Sequence, residues 1–433
     1  MRRRELLRGA AVGGIVAGAG CTDLLGNGDA GGPDRWPTFG YDTRNVGYLE
    51  DGTGPTGEPE TAWEAEIDGV VLETPAVDEG GVYAATTGTG RLYGIDRDGE
   101  RRWSIAPGGE EGWLRSPTLA DGGLYTSGDG GMVYAVDPET GDVRWEQEVA
   151  TSPSSLVVAD GVVYVAAAGD GTEAEPPGLY ALDATDGAPL TPDGEPYVQG
   201  GGSAVVPAIR NGVAYLSTRG VENGVFAVEL PEEPTEGMAP AGDEELRWAL
   251  TPEAASTAFS NPSPTVVDGN AYVGIARSIY AINPADGRQR WRTPVGVSGA
   301  GAATAATGDD VYATVVEDWG HEVVARVVSL DAGTGEEQWE RDLLTADGLI
   351  PDFLTRLSPV VVGDTVYVRT VPETPTDAEG SVSRIVALDR HSGEPRWSIE
   401  RDGMISNLAV AGGAVYAGVA DGEGRLEALA VPS

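Results

Sequence analysis

Apolar and polar positions alternate along most of the chain, in short runs that glycine-rich turns separate. The runs return as one pattern: an apolar pair, a glycine, a Val-Tyr pair, a variable loop, a Leu-Tyr-Ala-Leu-Asp run, a Thr-Gly turn and a tryptophan. Alternation with a period of two predicts β-strands, and Asp and Gly at the breaks predict hairpin turns. The sequence therefore predicts an all-β protein built from tandem repeats.

Two elements of the pattern each occur eight times, in the same order. The third element spans residues 92–96, 133–137, 179–183, 225–229, 279–283, 327–331, 385–389 and 426–430. The second lies at Val82-Tyr83, Leu124-Tyr125, Val163-Tyr164, Ala214-Tyr215, Ala271-Tyr272, Val311-Tyr312, Val366-Tyr367 and Val415-Tyr416. A chain of 433 residues exceeds the roughly 250–300 residues of a single undivided core. We therefore expect an eight-bladed β-propeller of four-stranded antiparallel blades.

The tryptophans indicate how the ring closes. Six repeats end in one: Trp103, Trp145, Trp248, Trp291, Trp339 and Trp397. Leu190 takes that place in the third repeat, and the eighth repeat has none. Trp63 precedes the first repeat, so the strand around Trp63 is predicted to complete the eighth blade and leave no unpaired sheet edge. A small residue in the third element, such as Ala135 or Ala281, leaves room for the tryptophan.

Charge excludes one class of partner. The formal net charge is −41, from 69 acidic and 28 basic residues, and every basic residue is an arginine. Such a chain repels nucleic-acid phosphates and has no basic stripe to compensate. A folded protein with a carboxylate-covered surface suits very salty media, where self-repulsion is screened. The composition resembles that of haloarchaeal proteins and predicts a halophilic host.

The N-terminus has the pattern of an export signal. Residues 1–20 begin with arginines and continue into a short run of small apolar residues, which resembles a twin-arginine signal peptide. Cys21 follows Gly-Ala-Gly and resembles the lipid-accepting cysteine of a lipobox; the alternative is an ordinary signal with an incidental cysteine. Residues 21–35 are predicted to be the anchor and a flexible linker, and residues 36–433 the propeller.

The repeat resembles the PQQ-like, quinoprotein-type propeller repeat over nearly all of residues 36–430. The opening segment WPTFGYDTRNVGY (36–48) resembles the start of the propeller lipoproteins of the outer-membrane barrel-assembly family. Other relatives of the repeat are quinone-dependent dehydrogenases, which hold the quinone under a ring of adjacent cysteines and use calcium with an Asp base. Cys21 is the one cysteine here, so we expect no cofactor, and PQQ and calcium only under an oxidoreductase alternative.

Local motifs for other chemistry are weak. The two histidines are His321, in a loop insertion, and His391, in a turn, and neither has a serine nucleophile motif beside it. Asp96–Glu100 and Asp129–Gly131 resemble fragments of calcium loops but lack the full spacing. Both fall at predicted turns, and we interpret them as turns. No catalytic or metal-ligating residue is predicted.

Aromatic and arginine residues between the blades supply the candidate binding face. They are Trp113, Arg115, Phe259, Trp319, Phe353 and Arg356. Most of them precede the inner strand of a blade, so we expect them to surround one end of the central channel. Loops on a rigid scaffold carry function, and Trp, Phe and Arg are favoured at binding hot spots. The alternative is that they plug the channel.

Together these observations predict an exported, surface-anchored and non-catalytic propeller. It would act as a protein-binding or scaffold module of the cell envelope, anchored through Cys21 to the outer face of the cell membrane. The partner is expected to be an envelope or secreted protein, and the propeller itself to be monomeric. Two alternatives stay open: a quinone (PQQ)-dependent oxidoreductase, and a sensor propeller for a small ligand or glycan.

Overall fold

The structure is a computed structural model. It describes residues 34–170, 176–199, 205–218, 224–232, 234–242, 245–250, 263–267, 269–275, 277–296, 303–318, 322–347, 357–370 and 382–432. Over these ranges the chain is almost entirely β-strand, with two short 3₁₀ turns at Asp129–Gly131 and Pro192–Gly194. The same residues contain no helix of the length and apolarity needed to cross a membrane.

The first half of the chain supplies four blades and the strands that precede them. Two strands come before the first blade: β1 (Tyr48–Leu49) and β2 (Glu60–Ile67). Blade 1 and its loops contain β3 (Ala76–Asp78), β4 (Gly81–Ala85), β5 (Thr87–Gly88), β6 (Leu92–Ile95), β7 (Arg101–Ile105) and β8 (Gly112–Trp113). Blade 2 contains β9 (Thr118–Ala120), β10 (Gly123–Ser127), β11 (Met132–Val136) and β12 (Val143–Glu148). Blades 3 and 4 contain β13 (Val157–Ala159), β14 (Val162–Ala167), β15 (Gly178–Asp183), β16 (Val198–Gln199), β17 (Ala208–Arg210), β18 (Val213–Thr218), β19 (Gly224–Glu229) and β20 (Leu246–Leu250).

The second half repeats the arrangement. Blades 5 and 6 contain β21 (Thr265–Val267), β22 (Asn270–Ile275), β23 (Ser278–Ile282), β24 (Gln289–Pro294), β25 (Ala303–Ala306), β26 (Asp310–Asp318), β27 (Glu322–Asp331) and β28 (Glu337–Asp347). Blades 7 and 8 contain β29 (Val360–Val362), β30 (Thr365–Arg369), β31 (Val382–Asp389), β32 (Pro395–Asp402), β33 (Met404–Ile405), β34 (Ala409–Ala411), β35 (Ala414–Ala420) and β36 (Gly424–Ala430).

The strands form eight four-stranded antiparallel blades, as predicted; β1 pairs in parallel with the inner strand of blade 7, and β5 and β8 form a separate two-stranded sheet. Seven blades follow chain order from inner to outer strand, for example β9-β10-β11-β12. In the eighth, β2 pairs with β36, and Trp63 stands opposite Ala428. The predicted closure of the ring by the strand around Trp63 is therefore confirmed. It joins the two ends of the propeller by main-chain hydrogen bonds, so that no blade is left with an open side.

The antiparallel order gives the ring two different faces. In blade 1, short turns at 78–81 and 96–100 join the inner strand to the second and the third strand to the outer. We call the end with these turns the turn face. The loops between second and third strands, and those that lead from one blade to the next, lie at the opposite end, which we call the loop face. The inner strands surround the channel between the two faces.

The blade-ending tryptophans join each blade to the next. Trp145 stands opposite Ala135 in its own sheet and packs on Tyr125, with ring centroids 6.0 Å apart. Its Nε1–H donates to the carbonyl oxygen of Ala184, in a turn of blade 3, at 3.0 Å. Seven such bonds of 2.7–3.1 Å occur in the described residues, from Trp63, Trp103, Trp145, Trp248, Trp291, Trp339 and Trp397. We call this contact the tryptophan dock; it buries a large apolar ring and satisfies its one polar group.

The Asp and Gly of the turn shape the surface that receives the ring. Asp137 Oδ1 accepts from the N–H groups of Glu139 and Thr140, which fixes the turn. Gly141 follows at φ +79°, and a Cβ there would lie 2.8 Å from the Cδ2 of Trp103. Glycine is therefore required twice, for the left-handed backbone and for the approach of the ring.

Blade 3 lacks its tryptophan and uses other contacts. Leu190 is buried and its N–H donates to Ala181 O at 3.0 Å, which confirms that it takes the tryptophan's place. The N–H of Met238, from the chain of blade 4, donates to Leu190 O at 3.0 Å. Tyr197 Oη donates to Glu229 O at 2.9 Å across the same junction. Residues 234–242 thus cover the place where a tryptophan dock is missing.

The two roles of the turn glycine can be separated by mutation. Gly287 (φ +70°) lies under Trp248, where a Cβ would be 2.7 Å from the ring, whereas Gly212 (φ +68°) has no atom within 4 Å of a Cβ. Gly212→Ala should lower the free energy of unfolding by about 1–2 kcal/mol, the cost of the left-handed backbone. Gly287→Ala should lower the free energy of unfolding by about 1–3 kcal/mol more than Gly212→Ala does, because the added Cβ would overpack against the Trp248 ring. Chemical denaturation checks this, and equal losses would contradict the dock.

Candidate functional site

The N-terminal residues 36–53 run along the inside of the ring, and we call them the plug segment. Six inner strands each donate one N–H to a carbonyl oxygen of this segment, over 2.6–2.9 Å. The donors are Val77, Leu119, Ile209, Val266, Ala306 and Val361. The inner strand is the channel-side edge of each sheet, so these groups have no partner in their own blade. The plug segment therefore satisfies the inner edges of the ring.

The plug segment leaves the channel at the turn face. The N–H of Gly363 donates to Leu49 O at 3.0 Å, and that of Gly413 donates to Thr53 O at 2.9 Å. Both glycines lie in turns between an inner and a second strand. The middle of the channel and its turn-face end are thus occupied by the chain itself. We call the end that the interblade loops surround the mouth.

Two buried polar side chains hold the plug segment in shape. Asp42 is 4% exposed; its Oδ1 accepts from Arg44 N–H at 2.9 Å and its Oδ2 pairs with the Arg44 guanidinium at 2.6 Å. Burial raises the pKa of Asp42, and the adjacent Arg44 opposes that rise. Asn45 Nδ2 donates to Pro207 O at 3.1 Å and to Pro264 O at 3.3 Å. Asn45 thus ties the segment to blades 4 and 5.

Three residues of blades 1 and 2 form the first part of the mouth. Glu73 lies just before the inner strand of blade 1, and its Oε1 is 3.1 Å from Arg115 Nη1. Its Oε2 accepts from Ser116 Oγ at 3.2 Å, and Arg115 Nε donates to Pro153 O of blade 3 at 3.2 Å. Arg115 lies over the Trp113 ring, with Cζ 4.4 Å from the centroid. This chain of contacts crosses three successive blades.

Trp113 is held by the backbone around it. It belongs to β8, which pairs with β5 to form a two-stranded ribbon on the loop face. Its N–H donates to Asp129 Oδ2 at 3.0 Å, and its side chain is half-buried. Asp129 thus supports the mouth from a 3₁₀ turn. Asp96 Oδ1 likewise accepts from the N–H groups of Asp98 and Glu100, so both suspected calcium-loop fragments are turns.

Blades 7 and 8, which precede blade 1 in the ring, contribute a buried arginine. Arg369, at the end of β30, is 5% exposed, and its Nε donates to Asn407 Oδ1 at 3.2 Å. The N–H of Asn407 donates to Leu72 O, beside Glu73. Burial lowers the pKa of Arg369 to about 10, and the charge of Glu73 opposes that shift. Arg369 therefore stays charged at neutral pH.

Of the predicted binding face, the structure describes Trp113 and Arg115, which lie together at the mouth, on the loop face. Phe259, Trp319, Phe353, Arg356 and Cys21 lie outside the described residues. Arg369 and Asn407 were not among the residues predicted from the sequence.

A model of one protein family matches the chain over residues 55–117, 90–326, 239–399 and 323–431, and its description is "Outer membrane protein assembly factor BamB". Together these stretches cover most of the chain. The chain belongs to this BamB family. The resemblance inferred from the repeat is confirmed.

Individual relatives of the BamB-family chain are distant. The outer membrane protein assembly factor BamB of Nitrosomonas eutropha is 32% identical over 92 residues, which are 20% of this chain and 22% of that protein. The crystal structure of BamB from Moraxella catarrhalis is similar with a TM-score of 0.56 at 18% identity, over 86% of this chain and 99% of that one. The quinohemoprotein alcohol dehydrogenase ADHIIG of Pseudomonas putida HK5 gives a TM-score of 0.65 at 15% identity, over 92% and 80%. At these identities the structures show a shared fold, and the chain spans about a fifth of the Nitrosomonas factor.

Quinone-dependent enzymes share this repeat, and the resemblance implies that they use a calcium ion held by protein side chains. In the described ranges, no group of three or more His, Cys, Asp and Glu side chains is placed to hold a metal ion. These residues do not fit the calcium site that the resemblance implies for such enzymes. His391 lies at the turn face, 61% exposed, with Nε2 3.5 Å from Asp364 Oδ1.

Mutation of Asn45 tests its role in holding the plug segment. Asn45→Asp replaces a donor by a carboxylate that faces the carbonyls of Pro207 and Pro264, and should cost about 3 kcal/mol or more of folding free energy. Asn211 is a matched control, because it is also left-handed (φ +49° against +54°) but exposed in a turn. Asn211→Asp should leave thermal unfolding nearly unchanged. Similar melting temperatures for both variants would contradict the role of Asn45.

Proposed function

We propose that this BamB-family chain is a non-catalytic propeller that binds another protein of the cell envelope through its mouth and loop face. One observation carries the proposal: the plug segment occupies the channel up to the turn face, and Trp113 and Arg115 are fixed at the other end. A half-buried tryptophan beside an arginine on a rigid scaffold is typical of a binding hot spot. The family description, an assembly factor, supports a protein as the partner.

The N-terminal sequence and the net charge support a proposed cellular location for this activity. Residues 1–20 direct export, Cys21 carries a lipid, and residues 22–35 tether the propeller to the outer face of the cell membrane. A net charge of −41 suits a salt-rich medium. If the host is an archaeon, it has no outer membrane, and the partner is then a different envelope or secreted protein from that of the named family.

Mutation of Trp113 tests the binding face. Tagged protein purified from its own membranes should retain a protein companion in near-stoichiometric amount. The purified companion should bind Trp113→Ala about tenfold or more weakly than wild type, because truncating a hot-spot tryptophan removes about 2 kcal/mol or more.

Leu246 provides the control, since it is 42% exposed on outer strand β20, at its turn-face end. Leu246→Ala should bind the companion with unchanged affinity. Equal affinity of the companion for wild type and Trp113→Ala would contradict the proposed face. Absence of any companion would contradict the protein-binding function itself.

The second candidate function is a quinone-dependent oxidoreductase, favoured by the fold shared with a quinohemoprotein alcohol dehydrogenase. An absorbance spectrum of the same purified sample separates the two candidates. A bound chromophore with no protein companion would support the oxidoreductase. The third alternative, a sensor for a small ligand or glycan, predicts neither a companion nor a chromophore, and glycan or ligand screening would test it.

The anchor has its own test. Cys21→Ser should move the exported protein from the membrane fraction to the medium, because the thiol that accepts the lipid is removed. Replacing Arg2 and Arg3 with lysine should stop export and leave the protein in the cytoplasm. Fractionation followed by immunoblotting measures both outcomes. Membrane retention of Cys21→Ser would contradict the lipid anchor and favour the incidental-cysteine alternative.

A further inference from the structure

At one position of the repeat, one blade has a residue unlike those of the seven other blades. The residue two places after the tyrosine of the second strand is small in seven repeats: Ala85, Ser127, Ala166, Ser217, Gly274, Thr314 and Gly418. In the seventh repeat this residue is Arg369. The position faces the chain that begins the next blade, since Ser127 Oγ donates to Ser154 O and Thr314 Oγ1 donates to Leu357 O. A small residue meets the structural need of the fold there.

Arg369 is buried without an opposite charge in contact. It is 5% exposed, and among the described residues its guanidinium makes one hydrogen bond, from Nε to Asn407 Oδ1, and no ion pair. A buried guanidinium has five N–H donors and is costly to leave uncompensated. Since a small residue suffices elsewhere in the ring, folding does not explain the arginine.

Glu73, Arg115 and Arg369 form a group with one positive charge over. Glu73 and Arg115 pair with each other, with Glu73 Oε1 and Arg115 Nη1 3.1 Å apart. At the six other positions equivalent to Glu73 and Arg115, the sequence has a neutral residue: Ser154, Val205, Pro262, Ala302, Leu357 and Ser406. Glu73, Arg115 and Arg369 therefore sum to +1, in a chain whose net charge is −41. A single negative charge balances the group.

We propose that Arg369 binds a carboxylate group that enters the mouth from the loop face. The planar guanidinium fork matches the two oxygens of a carboxylate, and the excess of one charge matches a monoanion. A phosphate dianion would bring a second negative charge close to Glu73. The carboxylate is that of a free small molecule or of an acidic side chain on a protein; both have the same chemistry at Arg369.

Calorimetric titration of the full-length purified chain tests the site and distinguishes the two sources. One arm uses acetate and succinate, the other a C-terminally amidated Asp- and Glu-rich peptide with its neutral analogue in which Asn and Gln replace Asp and Glu, and inorganic phosphate serves as the comparison anion. Binding of the small carboxylates identifies a free ligand, and binding of the acidic peptide alone identifies a side chain. Either result supports the site when Arg369→Met weakens it about tenfold or more. Failure of both arms overturns it, whatever companion the protein retains.

Arg369→Met also separates a binding role from a structural one. Methionine fills a similar volume without the charge, so the melting temperature should stay unchanged or rise while carboxylate affinity is lost. Arg341→Met is the matched control, because Arg341 pairs with Glu394 on the blade surface at 2.8 Å; its carboxylate affinity should equal that of wild type.

If Arg369→Met does not fold, Arg369→Lys keeps the charge without the fork and should still bind more weakly than wild type. Wild-type affinity in the folded Arg369→Met or Arg369→Lys protein would overturn the proposal.

Discussion

The ring depends on the tryptophan dock between successive blades. A single blade is a small twisted sheet that buries little surface by itself, and the dock gives it a neighbour of fixed orientation. The same carbonyl often accepts twice: Pro55 O accepts from Trp397 Nε1 at 2.7 Å and from Tyr367 Oη at 3.1 Å. One carbonyl thus positions two aromatic side chains of the preceding blade. Each dock joins two neighbouring blades. Every blade is therefore held on both sides only when β2 has paired with β36 and completed the eighth blade.

The plug segment adds a constraint that acts on many blades at once. Its carbonyls bond to six inner strands, whereas a tryptophan dock joins two blades. Pro55, which follows directly, receives Trp397 of blade 7. The N-terminal chain therefore occupies the channel, accepts the last dock and then supplies the closing strand. The turn-face end is occupied in this way, and Trp113 and Arg115 lie at the opposite end of the channel.

The features that could be predicted from the sequence are those that depend on repeated side-chain patterns. Eight repeats and the closing role of Trp63 follow from the tyrosines and tryptophans, because these residues make the same contact in each blade. The plug segment was not predictable in this way, because its contacts are made by backbone carbonyls and leave no periodic pattern. Arg369 was missed because an arginine after a strand is unremarkable alone; it stands out when the repeats are aligned on their tyrosines. Phe259 and Phe353 fall in stretches of sequence whose length varies from repeat to repeat, so repeat spacing predicts no position for them.

We propose the loop face, and not the turn face, as the binding surface. Hydrogen–deuterium exchange of the purified protein, with and without its companion, distinguishes the two faces. We expect slower exchange confined to residues 86–91, 106–116 and 403–408, with no change in the turns at 96–100, 137–141 and 331–335. Slower exchange confined to those turns, or to the outer strands, would contradict it.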